Sequence, residues 1–257
     1  MSTTTPLPVP EILRPWIRAV TVLTAESAAD RAPLVHLPDT ATALIVRTAA
    51  AGPADLLVAG PRTRAGYYRG KDFPLCLRLR LRPGAGRLIL GVPVRDLTDR
   101  IVRVADLWDA DVTPRGQSSD PARLLRQLGT LIVGRIEAHS AADRARADLA
   151  RQAAHALAGR PGQPRQPVPS VARRLAVSER HLRNLFTDRI GTSPKRYERL
   201  TRVRAVLAHG SHGRRWSTLA AETGYYDQSH MIAEFRDVMG VTPAAYFAGR
   251  LPAPQPC

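Results

Sequence analysis

Two stretches of the chain carry the same four residues at the same intervals. Phe186, Gly191, Pro194 and Tyr197 in the first correspond to Phe235, Gly240, Pro243 and Tyr246 in the second, with steps of five, three and three residues in each. In both, a glycine ends one helix, and a hydroxyl residue (Ser193 or Thr242) followed by proline starts the next. Glycine enters the left-handed conformation that closes a helix, serine and threonine cap helix starts, and proline suits the first helical position. The helices that these glycines end are amphipathic, with Leu182, Leu185 and Phe186 in one and Met231, Phe235 and Val238 in the other at helical spacing. Each has a capping residue at its start, Ser178 or Asp227. Each follows a shorter helix and a turn: 170–175 with Ala176-Val177, and the Trp216, Leu219, Ala220 helix with Gly224. The pattern predicts two helix-turn-helix units. A helix from Pro194 to Leu207, with Tyr197, Leu200 and Val203 on its apolar side, joins them and would span about 21 Å at 1.5 Å per residue.

The outward faces of the two second helices differ in chemistry. Arg180, Arg183 and Asn184 stand on the first, and Gln228 and Ser229 at the start of the second, with Ile232 and Ala233 beyond them. Arginine can pair bidentately with guanine O6 and N7, and asparagine or glutamine with adenine N6 and N7. Ile232 and Ala233 offer only apolar contact. Ser178, Lys195, Arg196 and Arg236, at helix starts or flanks, are the expected phosphate contacts, with Arg202, Arg204, Arg214 and Arg215 behind them.

Upstream lies a proline- and glycine-rich stretch, 159–169, that can be neither helix nor central strand. It divides the chain into 1–158 and 170–250, with 251–257 expected as a disordered tail. In the first part, 43–47 and 55–59 are short apolar runs, and 75–82 alternates leucine with arginine. Alternation places Arg78, Arg80 and Arg82 on one face of a strand. That row is either a solvated face or the lining of a pocket for an anion. Asp120-Pro121 starts a helix carrying Leu124, Leu125, Leu128, Leu131, Ile132 and Ile136, and a second helix covers 141–158 with Leu149 and Leu157 on one side. These two helices either close on the sheet or form a homodimer face. The expected class is therefore α+β: a small strand-rich N-terminal domain with two helices, and an all-α C-terminal domain of two helix-turn-helix units joined by a linker helix.

The 257 residues carry 38 Lys and Arg against 22 Asp and Glu, a net charge of +16, which suits an anionic partner. Half of that excess lies outside the helix-turn-helix region, since 165–250 holds 15 basic and 7 acidic residues. No apolar run is long enough to span a bilayer, no leader is read at the start, and the two cysteines, Cys76 and Cys257, form no framework. These point to a cytoplasmic protein without a membrane partner.

At residues 170–246 the sequence resembles the AraC/XylS family of transcriptional regulators. The residues that carry the resemblance are Leu219-Ala220, Gly224-Tyr225, Asp227-Gln228-Ser229-His230, Phe235 and Gly240-Val241-Thr242-Pro243. A softer likeness to sensor-type domains of such regulators runs through 35–39, 82–85, 90–93, 97–100 and 107–108. The resemblance implies that the two units dock in successive major-groove segments about 34 Å apart, with Arg180, Arg183 and Asn184 at base-facing positions of the first and Gln228 and Ser229 at those of the second, where the apolar Ile232 and Ala233 leave less sequence to read and more backbone to hold. It implies promoter or operator DNA and RNA polymerase as partners, and modulation by a small-molecule effector or by dimerisation. The alternative is a DNA-binding module tethered to a catalytic or protein-interaction N-terminal domain.

No enzyme is read from the sequence. It contains no nucleophile elbow, phosphate-binding Walker loop or His-Glu-x-x-His, and Gly84-Ala85-Gly86 lacks the rest of a dinucleotide fingerprint. Cys76 sits within an apolar alternation and reads as an inert core thiol. His209 and His212 lack a third ligand type nearby, so no metal is expected, and no cofactor.

Overall fold

A computed structural model of the chain describes residues 3–24, 34–48, 54–69, 75–108, 120–159, 165–211 and 213–255. The middle of the proline-rich stretch (160–164), His212 and Cys257 lie outside the described residues. The alternating segment forms strand β7 (Leu75–Leu81), third in a six-stranded antiparallel sheet ordered β1-β2-β7-β4-β5-β8. Its companions are β1 (Thr3–Leu7), β2 (Ile17–Thr24), β4 (Ala43–Thr48), β5 (Asp55–Ala59) and β8 (Ile101–Arg103). Strands β3 (Leu34–His36) and β6 (Gly66–Tyr68) pair as a separate ribbon. Pro6 is tolerated in β1 because that strand is an edge, where a missing N–H disturbs the ladder least.

Leu75, Leu77, Leu79 and Leu81 point into the N-terminal core with Leu44, Val46 and Val58. Helices α1 (Ala85–Leu90) and α2 (Pro121–Glu137) cover that face through Leu88, Ile89, Leu124, Leu128 and Ile132. Asp120 caps α2 by accepting from the Ala122 amide. Leu131, expected on the buried stripe, is 37% exposed, because the stripe turns through Ile132. Arg78 and Arg80 occupy the opposite face of β7, whereas Arg82 lies past the end of the strand and donates to the Arg14 carbonyl at 2.7 Å.

Helix α3 (Ala141–Ala158) behaves differently from its expectation. Leu149 is only half-buried, and the helix buries an alanine face instead: Ala147, Ala150, Ala153 and Ala154, with Leu157. Ala147 belongs to the N-terminal core, but the rest belong to a second core shared with the first helix-turn-helix unit. The packing therefore changes within α3, between Ala147 and Ala150, and not at residue 158. Small side chains let neighbouring backbone come close: Gly84, with φ +88°, leaves a gap into which a Cβ would meet the Ala147 carbonyl at 2.3 Å.

The remaining helices are α4 (Val168–Arg174), α5 (Glu179–Ile190), α6 (Pro194–His209), α7 (Trp216–Thr223), α8 (Gln228–Met239) and α9 (Pro243–Phe247). The internal repeat has a packing cause. In each copy the phenylalanine is fully buried and the tyrosine ring meets it nearly edge-on, Phe186 with Tyr197 at 5.4 Å and Phe235 with Tyr246 at 5.9 Å. Gly191 (φ +84°) and Gly240 (φ +74°) make the left-handed turn that brings the two rings together. Burying such a phenylalanine matters: truncation to alanine in a core costs about 3–5 kcal/mol. The tail is ordered as far as described. Gln255 bridges Tyr68, its amide donating to the Tyr67 carbonyl at 2.9 Å and its carbonyl accepting from Arg69 at 3.0 Å, so residues 251–255 are not the free end that was expected. Among the described residues no helix is long and apolar enough to cross a membrane.

Candidate nucleic-acid interface

The first unit is α4, a turn, and α5. Ala176 takes φ +54° in the turn, and the Val177 amide donates back to the Ala172 carbonyl at 3.0 Å. The Ser178 hydroxyl then accepts from the His181 amide at 3.1 Å, which fixes where α5 begins. With Leu182, Leu185 and Phe186 buried, Arg180, Arg183 and Asn184 are left exposed together on the outer face. Arg183 reaches back one turn to Glu179 at 3.2 Å, an exposed pair that contributes only a few tenths of a kcal/mol.

The second unit repeats this construction. Gly224 (φ +80°) turns the chain after α7, and Asp227 accepts from the His230 amide at 2.7 Å to start α8. Gln228 and Ser229 are exposed at that start. Ile232 is half-buried against the third core, which leaves Ala233 as the exposed member of the apolar pair. Tyr226, in the turn just ahead of Asp227, is 95% exposed. The sequence reading passed over it because Tyr225 beside it is a core residue and the two look alike in sequence.

Helix α6 belongs to both units. Tyr197 is part of the second core, and Leu200, Val203 and Val206 are part of the third. Its 16 residues span about 24 Å. Arg202 on α6 pairs with Glu234 on α8 at 2.8 Å, Arg199 pairs with Asp237, and Arg202 also lies over the Tyr225 ring at 5.2 Å. One rigid element thus sets the distance between the two outward faces.

The expected phosphate contacts fall into separate groups. Ser178 and Lys195 are exposed at the starts of α5 and α6. Arg196 is exposed in the first turn of α6, but its guanidinium donates to the Thr63 hydroxyl at 2.8 Å. Thr63 in turn donates to the Asp99 carboxylate at 2.5 Å. Arg236 lies in the last turn of α8, away from Gln228 and Ser229. Of the second tier, Arg202 is held by Glu234, Arg214 by Glu222, and Arg204 donates to the Pro38 carbonyl at 2.9 Å. Arg215 is exposed. Several arginines that charge alone would place on DNA are therefore engaged within the protein.

The N-terminal domain holds the far ends of both exposed helices. The Thr98 hydroxyl donates to the Gly191 carbonyl at 2.7 Å, and Arg87 pairs with Asp188, both at the end of α5. At the end of α8, the Ala65 amide donates to the Val238 carbonyl at 2.8 Å and the Tyr67 hydroxyl to the Met239 carbonyl at 2.6 Å. These bonds satisfy C-terminal carbonyls that a helix leaves open.

Residues 171–249 match a protein family described as a helix-turn-helix domain. Comparison with curated proteins gives no match. Among solved structures, the chain is similar to the C-terminal domain of AraT, a response regulator from Geobacillus stearothermophilus, at 24% identity over 41% of this chain and 88% of that one, TM-score 0.36. It is similar to the DNA-binding domain of AdpA, a global transcriptional factor solved with a target DNA, at 22% identity over 40% and 90%, TM-score 0.34. A likeness running through both domains is to ToxT from Vibrio cholerae, at 10% identity over 91% and 98%, TM-score 0.43. Residues 171–249 of the chain are thus matched as a helix-turn-helix domain.

Proposed function

We propose that the chain is a sequence-specific DNA-binding transcriptional regulator that lays α5 and α8 into successive major-groove segments. The observation that carries this is the duplicated geometry: two capped, outward-facing polar helices fixed to one connecting helix. In this reading Arg180, Arg183 and Asn184 read bases from α5, and Gln228 and Ser229 from α8. Ser178 and Lys195 hold phosphates at helix starts, Arg236 holds one beyond the end of the second face, and Arg196 joins them when released from Thr63.

In this reading the second half of α3 packs with the DNA-binding domain, and the regulatory domain comprises the residues up to the middle of α3. That domain grips the ends of both reading helices, so a change in it alters how they present themselves. Promoter DNA in the cytoplasm and RNA polymerase are the partners this role requires, with a small molecule or a second copy acting on the N-terminal domain. No catalytic step is assigned. Cys76 is buried in the sheet, and burial pushes its thiol above the ordinary range, which suits packing and not nucleophilic attack.

The test is a binding selection on random duplex DNA with the full chain. The expected result is an enriched site with two half-elements about 10 base pairs apart, the more strongly defined one paired with α5. Recovery of DNA without sequence preference would overturn the reading.

A further inference from the structure

Where β7 meets α6, three arginines gather about one carboxylate. Asp39, whose side chain is only 12% exposed, lies 2.5 Å from Arg80, 3.5 Å from Arg78 and 3.5 Å from Arg204. Arg18 of β2 is close enough to add its charge to Arg80. Arg78 and Arg80 come from the sheet, and Arg204 from the helix that joins the two reading units. Tyr197 of α6 faces the same groups.

The balance of charge is unusual for a half-buried position. Like charges at this spacing repel, and the repulsion grows as water is removed. Burial and its arginine neighbours hold Arg80 below its ordinary pKa, with Asp39 opposing them. Asp39 is already committed in several directions, since Oδ1 also accepts from the Ala41 amide at 3.0 Å. The Nε–H groups of Arg78 and Arg80 are buried and have no acceptor among the described residues. Buried donors of a charged group ordinarily have partners, because leaving them unmade is costly. Arginine forks match the planar or tetrahedral oxygens of a carboxylate or phosphate.

We propose that Arg78, Arg80 and Arg204, with Arg18 beside them, bind the oxyanion group of a small molecule at the junction of the sheet and α6. Asp39 acts as the internal anion with which the ligand competes. Binding draws on Arg204, so occupancy is transmitted to the helix that spaces α5 and α8. The chemistry of the site stands by itself; its meaning as control of DNA binding rests on the regulator reading above.

The test uses the full chain without DNA. Inorganic phosphate and benzoate are titrated separately, at ionic strength matched with chloride, and binding is followed by calorimetry and by thermal shift. The expected result is saturable binding of at least one probe that chloride does not reproduce. Phosphate alone identifies a phosphorylated ligand, and benzoate alone a carboxylate. Arg78→Met and Arg204→Met are each expected to weaken that binding at least tenfold. Arg123→Met, at an exposed position of α2, leaves it unchanged. Asp39→Asn keeps the acceptor for Ala41 and is expected to tighten binding several-fold, with its lost stability restored by the probe; this arm decides the matter if an arginine variant does not fold. No response beyond chloride, or equal loss in Arg123→Met, would overturn the proposal. DNA binding measured in parallel separates the two readings: a chain that binds DNA but neither probe loses only this proposal, and one that binds a probe but no DNA loses only the regulator reading.

Discussion

Thr98 and Gly191 are joined across the two domains by a 2.7 Å hydrogen bond, from a side chain of the N-terminal domain to the carbonyl of the residue that ends α5. The same glycine is hemmed in by Pro61 and Val94. The end of α5 is therefore a contact surface for the N-terminal domain. Thr98→Val removes the hydroxyl at constant volume. It is expected to destabilise the chain by about 0.5–1.5 kcal/mol. Thermal unfolding measures the loss, and DNA titration of the same variant shows a changed affinity if the grip controls α5.

Gly191 and Gly240 occupy the same position in the repeat, and the structure separates them. Both have positive φ, so alanine at either costs about 1–2 kcal/mol from handedness alone. A Cβ at Gly191 would also lie 2.8 Å from the Thr98 hydroxyl and 3.0 Å from Pro61 and Val94, while at Gly240 it would meet nothing within 4 Å. Gly191→Ala is therefore expected to be the more destabilising, and the difference in melting temperature between the two variants reports the domain contact. Equal losses would show that the contact carries no strain.

Arg183→Ala tests base reading on α5. A bidentate pair to guanine gives roughly 1–3 kcal/mol of discrimination, so preference for the selected site over random DNA should fall between about fivefold and a hundredfold. Non-specific affinity should change little, because the ion pair with Glu179 is exposed and the remaining arginines still meet phosphate. Competition gel shifts distinguish the outcomes. A parallel loss on random DNA would make Arg183 a phosphate contact.

His36 gives the N-terminal domain a dependence on pH. Burial, helped by Arg62 and Arg78, lowers its pKa from 6.5 to about 4. The folded value lies below the unfolded one, so the unfolded chain takes up the proton first. The stabilising contribution is complete above pH 6.5 and is lost as the pH falls toward 4. Melting temperatures of the wild type and His36→Gln should differ in slope within that window and run parallel above it. Parallel curves throughout would show that His36 is solvated.

The C-terminal domain was nearly complete in the sequence because most of its boundaries have a local cause; one exception is α4, which starts at Val168, within the stretch 159–169 expected to hold no helix, and has no side-chain cap. Ser178, Ser193, Asp227 and Thr242 all cap, and Gly191, Gly224 and Gly240 all turn left-handed. The N-terminal strands β1, β2, β3, β6 and β8 are absent from the sequence reading: β3, β6 and β8 are three residues long and β1 carries a proline, whereas the eight-residue β2 (Ile17–Thr24) was missed with no such reason. The role of α3 escaped for another reason. Alanine spacing carries little hydrophobic signal, and the leucine that drew attention, Leu149, is not the one that packs fully. Among the site residues, Arg196 and Arg204 were read as belonging to DNA, although each has a neutralising or accepting group contributed by the other domain. Such partners lie more than a hundred positions away, and no local pattern announces them.

The alanine face of α3 also bears on how the chain can be divided. The proline-rich stretch is the obvious place to cut, but a fragment starting there would lack one wall of its first core, and the complementary fragment would end in a helix with a bare flank. A soluble DNA-binding fragment must start ahead of Ala141. Any chimera that grafts another regulatory half onto this reading head must carry α3 along with the head.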